Sequence, residues 1–427
     1  MMKVIIIGAG AAGTSAAETI RAHDASVQLL IISRDKGLPY SPVALPEYIE
    51  GRISQEQMLL WDDESCARLK LDFMPGKAVV NINPDERKVA LDDGSILSYD
   101  RLLIASGASP VFPEELRDRT GVFGLRTMED AEAIRRQVKQ RVIVYGAGAV
   151  ATKVAVAFRR MGVDVILICR SRILRRLFDE DICRLMHDIL TVNGVKIIGL
   201  HPHVHLSGDP VDRLRIGTQE FPCDAVIVAL GVSPNTSFVE GHHIRLATSR
   251  GIIVNERMET SAPYIYAAGD CAQTNDIITG QGQVVALWPA AVEQGKIAAL
   301  NMLGIEKHYE GALGQNVVDL FGTPFASIGS LDGEKTDRVT GDSLSRFTIQ
   351  DGKVVGCQLV GDINNAGWLS ACIKRGMAVE DLALASGGRR LPVPRACVSQ
   401  VVDIGAPPQR SEVHPGFPRP RPGADRA

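Results

Sequence analysis

An apolar run ending in Gly-x-Gly-x-x-Gly occurs at Gly8-Ala9-Gly10-Ala11-Ala12-Gly13, and a near copy, Gly146-Ala147-Gly148-Ala149-Val150-Ala151, follows about 138 residues later. The two copies have the same neighbours. Lys3 to Ile7 and Arg141 to Tyr145 read as short buried strands, Thr14 to His23 and the stretch through Met161 as helices, and Val27 to Ile32 and Val163 to Ile168 as strands again. Strand, glycine turn, helix and strand make a βαβ unit, which requires a parallel sheet covered by helices. The chain is therefore expected to be α/β, with two Rossmann-like three-layer domains. In the first turn the first glycine permits the bend, the second lets a pyrophosphate approach the backbone, and the third lets the helix pack closely; in the second turn Ala151 takes the third place, which the pattern allows. The open helix start then faces the phosphates. A single match can also be a generic strand-to-helix turn, so the repetition carries the reading.

Between the copies, Lys88 to Leu91, Asp92-Asp93-Gly94 and Ile96 to Ser98 read as a β-hairpin, and Arg101 to Ile104 as a strand closed by a glycine turn. Asp224 to Leu230 followed by Gly231 closes the second unit in the same way. From about residue 306 the pattern changes to short strands, with Gln315 to Leu320, Ala326 to Ile328, Ser345 to Ile349 and Lys353 to Val360 as candidates before a helix from Ala366 to Arg375. This stretch reads as a third, α+β domain. The last 37 residues are rich in proline and arginine, a composition that favours disorder or wrapping on a partner.

Composition removes several classes of function. The 427 residues exceed the ~150-residue domain prior well over twofold, so several domains are expected. A net charge of −3 lacks the basic excess of a nucleic-acid binder. The eight cysteines are scattered without a C-x-x-C pair, which argues against a zinc ribbon, an iron–sulfur ligand set or a disulfide framework and suits a reducing cytoplasm. No segment has the length and apolarity of a membrane span. The run His201-Pro202-His203-Val204-His205 would put three imidazoles on one face of a strand, but no acidic motif at ligand spacing accompanies it, so no metal site is assigned.

A further signal is Thr260 to Asp270, a turn and short buried strand ending Ala267-Ala268-Gly269-Asp270, where Asp270 is placed to accept hydrogen bonds from a polyol such as a ribityl chain. The second strand of the first unit ends Ile32-Ser33-Arg34-Asp35, which leaves an acid slightly late for a ribose contact. The equivalent strand of the second unit ends Ile168-Cys169-Arg170, with Arg172, Arg175 and Arg176 following. A missing acid with arginine in its place favours a 2′-phosphate, hence NADPH over NADH; the alternative is a solvated or partner-facing basic loop.

These motifs, in order, with Leu103-Ile104-Ala105-Ser106-Gly107 after the hairpin, resemble the FAD-dependent pyridine nucleotide-disulfide oxidoreductase superfamily over roughly residues 3 to 385. Leu38-Pro39-Tyr40-Ser41-Pro42 and Leu287-Trp288-Pro289 resemble its branch of NADH-rubredoxin reductases, nitrite reductase flavin domains, NADH oxidases and coenzyme A disulfide reductases. The resemblance implies an FAD domain at 1–110 and 245–305, an NAD(P)H domain at 111–244 inserted in it, an α+β interface domain at 306–390, and a tail at 391–427. It implies an FAD site at Gly8, Gly10, Ala12, Gly13, Ser33, Arg34, Pro42, Val79, Ala105, Ser106, Gly107, Gly269, Asp270 and Trp288. Pro42 and Trp288 would border the isoalloxazine. The NAD(P)H site would comprise Gly146, Gly148, Val150, Ala151, Arg170, Arg175 and Gly231.

The chain departs from that pattern in several places, among them Ala151 for the third glycine of the second turn and the lack of a C-x-x-x-x-C pair near the N-terminus. Where the disulfide-reducing branch has a flavin-proximal cysteine, it has Ser41-Pro42-Val43, and valine offers no thiol for an adduct. Lys153 stands where a glutamate near the nicotinamide is expected, or is a solvated helix lysine. Cys271, beside Asp270, is expected to be a small buried residue. The resulting expectation is an NAD(P)H:acceptor oxidoreductase whose flavin exchanges electrons with a separate iron–sulfur protein or subunit. Alternatives are the flavoprotein subunit of a 2-oxoacid dehydrogenase of the phenylglyoxylate type, an NADH oxidase using O₂, and a non-catalytic flavin-binding subunit. Residues 306–427 are the expected surface for a homodimer or hetero-complex.

Overall fold

The computed structural model describes residues 1–199 and 204–378. The expected tail, and the first three residues of the histidine run, lie outside the described residues. Eight α-helices are labelled in chain order among them: α1 (Ala11–His23), α2 (Leu45–Glu50), α3 (Asp63–Leu69), α4 (Met128–Gln137), α5 (Ala149–Arg160), α6 (Glu180–Val192), α7 (Trp288–Met302) and α8 (Ala366–Lys374).

The first sheet is parallel, in the order Ile265–Ala267, Arg101–Ile104, Lys3–Ile7, Gln28–Ser33 and Asp72–Pro75. Its edge strand comes from far along the chain, and the second sheet is built from the sequence in between. That sheet is also parallel, in the order Val195–Gly199, Asp164–Cys169, Arg141–Tyr145, Ala225–Val228 and Val122–Phe123. The inserted arrangement follows directly from this strand order. Central strands reading Val-Ile-Ile-Ile and Val-Ile-Val are buried on both faces, as helices on both sides of a parallel sheet require.

Helices α1 and α7 meet on the first sheet through Ala12, Ala16, Ala291, Gly295 and Ala298. A Cβ on Gly295 would sit 2.2 Å from the carbonyl oxygen of Ala12, so only glycine permits this approach. The third domain is a five-stranded antiparallel sheet in the order Gln315–Leu320, Thr323–Gly329, Lys353–Val360, Ser343–Gln350 and Glu334–Thr340, with α8 packed on it.

The expected elements are present with displaced ends. Helix α1 starts at Ala11, because the last part of the glycine motif is itself helical, and the strand after it runs Gln28–Ser33. The strands expected at Ala326 to Ile328 and Ser345 to Ile349 extend to Thr323–Gly329 and Ser343–Gln350. The small sheet Val204–Gly208, Val211–Ile216 and Gln219–Pro222 and the edge strand Glu334–Thr340 are additions to the sequence reading. In that edge strand only Thr336 is buried, so it lacks the apolar alternation by which strands are read.

Candidate active site

At the carboxyl end of the first sheet, where strand order reverses, lies a cavity of about 480 Å³. Its floor is the first glycine turn. Gly8 has φ +105°, and a Cβ there would lie 2.2 Å from the Ala105 carbonyl oxygen, so the turn is closed to any side chain. Gly10 is the exposed N-cap of α1, with open space for 4 Å around the place a Cβ would take and no side-chain cap on the helix. The free N–H groups of that first turn and the positive end of the helix dipole face an anion site.

Thirteen of the fourteen residues expected around FAD line this cavity: Gly8, Gly10 and Ala12 on the turn, Ser33 and Arg34 after the second strand, Pro42 and Val79 on the lip, Ala105, Ser106 and Gly107 after the third strand, and Gly269, Asp270 and Trp288 opposite. Gly13 is the exception. It packs behind the turn, where a Cβ would sit 1.9 Å from the Gly8 carbonyl oxygen, so it serves the close approach of helix to turn.

Asp270 has a partner that sequence reasoning missed. Its Oδ2 accepts a hydrogen bond from Arg126 Nη2 at 3.1 Å, while Arg126 Nε donates to the Ala108 carbonyl at 3.2 Å. Burial pushes the Asp270 carboxyl above its ordinary range, and the guanidinium opposes that shift. Arg126 is held at the start of α4, where Thr127 and Asp130 form a reciprocal capping box and the Met128 N–H donates to Tyr40 Oη at 2.9 Å. The Thr-x-x-Asp spacing was a readable helix start, but nothing in the sequence ties Arg126 to a carboxylate 144 positions away.

Further residues complete the cavity. Asp35 lines it, with its carboxyl raised mainly by burial, and Tyr40 Oη donates to Asp35 Oδ2 at 3.5 Å. Ser106 Oγ donates to the Asn235 carbonyl at 2.7 Å, and Asn235 Nδ2 returns a bond to the Ser106 carbonyl at 3.0 Å, which ties the two chain crossings between the first and second domains together. Gly269 N–H donates to Oε1 of the buried Gln294 at 2.8 Å. Cys271 is wholly buried and turned away, its thiol donating to the carbonyls of Ile104 and Ala268. No cysteine lines the cavity among the described residues, and all seven described cysteines are free. At the lip, Val43 is 51% exposed.

The second glycine turn repeats the geometry at the second sheet. Gly146 would meet the Ala229 carbonyl oxygen at 2.2 Å with a Cβ, Gly148 caps α5 without a side-chain bond, Val150 is 47% exposed and Ala151 is fully buried. Gly231, with φ +117°, ends the neighbouring strand connection. Arg170, Arg175 and Arg176 are exposed and carry no ion pair among the described residues, whereas Arg172 pairs with Glu180. Their loop is docked on the glycine turn by buried Leu174, whose N–H donates to the Ala147 carbonyl at 2.8 Å. Leu174 holds φ +51°, a left-handed conformation unusual for a bulky residue and typical of ligand clamps. Lys153 is not a solvated lysine: three-quarters buried, its Nζ lies 3.6 Å from Oε1 of Glu47 on α2.

Comparison with known proteins agrees with this geometry. The pyridine nucleotide-disulphide oxidoreductase family matches residues 2–295. An NADH oxidase of Methanocaldococcus jannaschii is 32% identical, over 84% of this chain and 88% of its own. The epsilon subunit of NADH-dependent phenylglyoxylate dehydrogenase from Aromatoleum evansii is 31% identical, over 93% of this chain and 97% of its own. An engineered water-forming NADPH oxidase, derived from the NADH oxidase of Lactobacillus brevis, shares the fold with a TM-score of 0.81, at 24% identity over 90% of this chain and 93% of its own. Two nucleotide-type glycine turns, one at a deep cavity and one edged by arginines, thus belong to a chain of the pyridine nucleotide-disulphide oxidoreductase family, an FAD-dependent NAD(P)H oxidoreductase.

Proposed function

We propose that this enzyme takes electrons from NADPH on the second domain, through FAD along the first cavity, to a separate iron–sulfur protein or subunit. The observation that carries the reading is the lip: Val43 occupies the position beside Pro42, so electrons leave the flavin without passing through a thiol. Bound FAD supplies the redox chemistry, accepting two electrons together and able to release them singly.

The chain's own residues bind and orient. The open start of α1 receives the pyrophosphate, Asp270 accepts from the ribityl hydroxyls while Arg126 donates to it from the other side, and Pro42 and Trp288 wall the ring system. On the second domain, Gly148 and Val150 receive the dinucleotide. Arg170, Arg175 and Arg176, fixed by the Leu174 anchor, offer planar guanidinium donors to a 2′-phosphate.

The donor choice has separate support. The engineered NADPH oxidase bound to NADPH carries a glycine-to-alanine change followed 18, 19, 20 and 25 positions later by changes to alanine, arginine, serine and arginine. At the same spacing this chain has Ala151, then the small neutral Cys169, Arg170, Ser171 and Arg176. The nearly full-length kinship to a dehydrogenase subunit supports a protein partner, and in such an assembly electrons would run toward NAD(P). The kinship to an NADH oxidase favours a second reading, O₂ as acceptor. The scattered free thiols suit a cytoplasmic setting.

Anaerobic stopped-flow reduction with each nicotinamide, followed by a panel of ferredoxins and rubredoxins, tests the reading. The expected result is faster bleaching by NADPH than by NADH, then electron delivery to a panel member. In the double variant Arg170→Ala/Arg176→Ala, the NADPH preference is expected to fall about tenfold or more. Failure of NADPH to bleach the flavin, or steady O₂ uptake with no delivery to any panel protein, would overturn it, the latter in favour of the oxidase.

A further inference from the structure

Hydride transfer between two rings demands near-contact separation, and an error of about 1 Å costs up to about a hundredfold in rate. With one ring on the first domain and the other on the second, whatever fixes the domains at the cavity mouth fixes that separation. Here the element that does so is α2. The turn Pro42–Ala44, which carries the lip, runs without a break into α2 at Leu45. Although α2 lies in sequence between two strands of the first domain's sheet, its Leu45 and Ile49 are buried in the second domain's core with Ala151, Val154 and Phe158 of α5.

Beside that apolar seam stand two ion pairs from α2 to α5. Lys153 lies one turn beyond Val150 and faces Glu47 at 3.6 Å; Arg160 faces Glu50 at 3.7 Å and also binds Asp319 of the third domain at 2.9 Å. Among the described residues the rung nearer the cavity is not closed by a hydrogen bond, Arg52 faces the same Glu47 oxygen at 3.6 Å, and the other carboxylate oxygen of Glu47 is buried without a partner. Such a contact is held by charge alone and responds to small shifts of one helix against the other.

We propose that the pairs Glu47·Lys153 and Glu50·Arg160 form a spacer that holds the start of α5 at a set distance from the lip Pro42–Ala44, making Lys153 and Arg160 positioning residues for hydride transfer. This rests on the reading that a nicotinamide on the second domain reduces FAD on the first.

The test is a charge-swap cycle on the FAD-loaded protein, measured by anaerobic single-turnover reduction with NADPH and by calorimetric binding of NADP⁺. In Lys153→Glu and in Glu47→Lys, the limiting reduction rate is expected to fall about ten- to a hundredfold, with NADP⁺ affinity changed less than about threefold. The double variant Glu47→Lys/Lys153→Glu is expected to recover to within about threefold of wild type, and Lys153→Arg to stay near wild type. A Lys153→Glu rate within about twofold of wild type, a double variant no faster than the singles, or a loss confined to affinity would each overturn the proposal. If neither nicotinamide bleaches the wild-type flavin, the functional reading itself fails. Amide exchange of α2 then decides the spacer separately: faster opening in each single variant, reversed in the double, supports it, and unchanged exchange overturns it.

Discussion

Asp270 shows how much a single residue's role depends on its surroundings. The Gly-Asp pair after a buried strand marked it in the sequence, and the structure places its carboxylate at the cavity wall. What keeps it usable is Arg126, which compensates a carboxyl that burial would otherwise push toward neutrality. Asp270→Ala removes the acceptor and leaves the guanidinium unpaired. Its FAD dissociation constant is expected to rise about tenfold or more, read as flavin lost on gel filtration; full flavin retention would contradict the assignment. Because the raised value lies above the usual carboxylate range, FAD retention in the wild type is expected to weaken on acidification before ordinary carboxylates protonate. An equilibrium titration of bound flavin against pH checks this. Arg126 was illegible for a general reason: a partnership between residues far apart in the chain has no local pattern, whereas a glycine turn does.

At the scale of elements, the parallel strands and the helices after the glycine turns were readable because burial on both sheet faces forces continuous apolar runs. The hairpin Lys88–Leu91 and Ile96–Ser98 was readable from its turn residues, whereas the edge strand Glu334–Thr340 was not, since water on one side removes that requirement. The connection between the third domain and the second was equally hidden. Arg346, on the strand Ser343–Gln350 and only 13% exposed at its side chain, donates to Asp179 and Asp181 at the start of α6 and to Asp337 on its own sheet, at 2.7 to 3.2 Å. Arg346 holds the Asp181 carboxyl below its ordinary range. A depressed carboxylate stabilises the fold above its unfolded pKa of about 3.9 and loses that contribution as pH falls through the folded value. Arg346→Met is therefore expected to cost about 2 kcal/mol at neutral pH, discounted for the partial exposure of its partners. The deficit should shrink in acid below the carboxylate range. Urea melts at neutral and acidic pH check it, and a deficit that does not depend on pH would contradict the clamp.

Across the whole molecule, two nucleotide domains and an antiparallel third domain are held by interlocking contacts: strands of the first sheet drawn from both sides of the second domain, α2 buried in the second core, and the Arg346 clamp. The order of the motifs was sufficient to read the architecture; the bridging residues came only from three dimensions. On the proposed route the flavin is the sole carrier between the nicotinamide and the next acceptor, with no sulfur relay. Electron counting tests it most directly. Anaerobic titration of the FAD-loaded protein with NADPH is expected to bleach the flavin completely at one equivalent per FAD and to consume no more. Uptake of a second equivalent before free NADPH accumulates would reveal a second two-electron centre, such as a disulfide, and would contradict a flavin-only route.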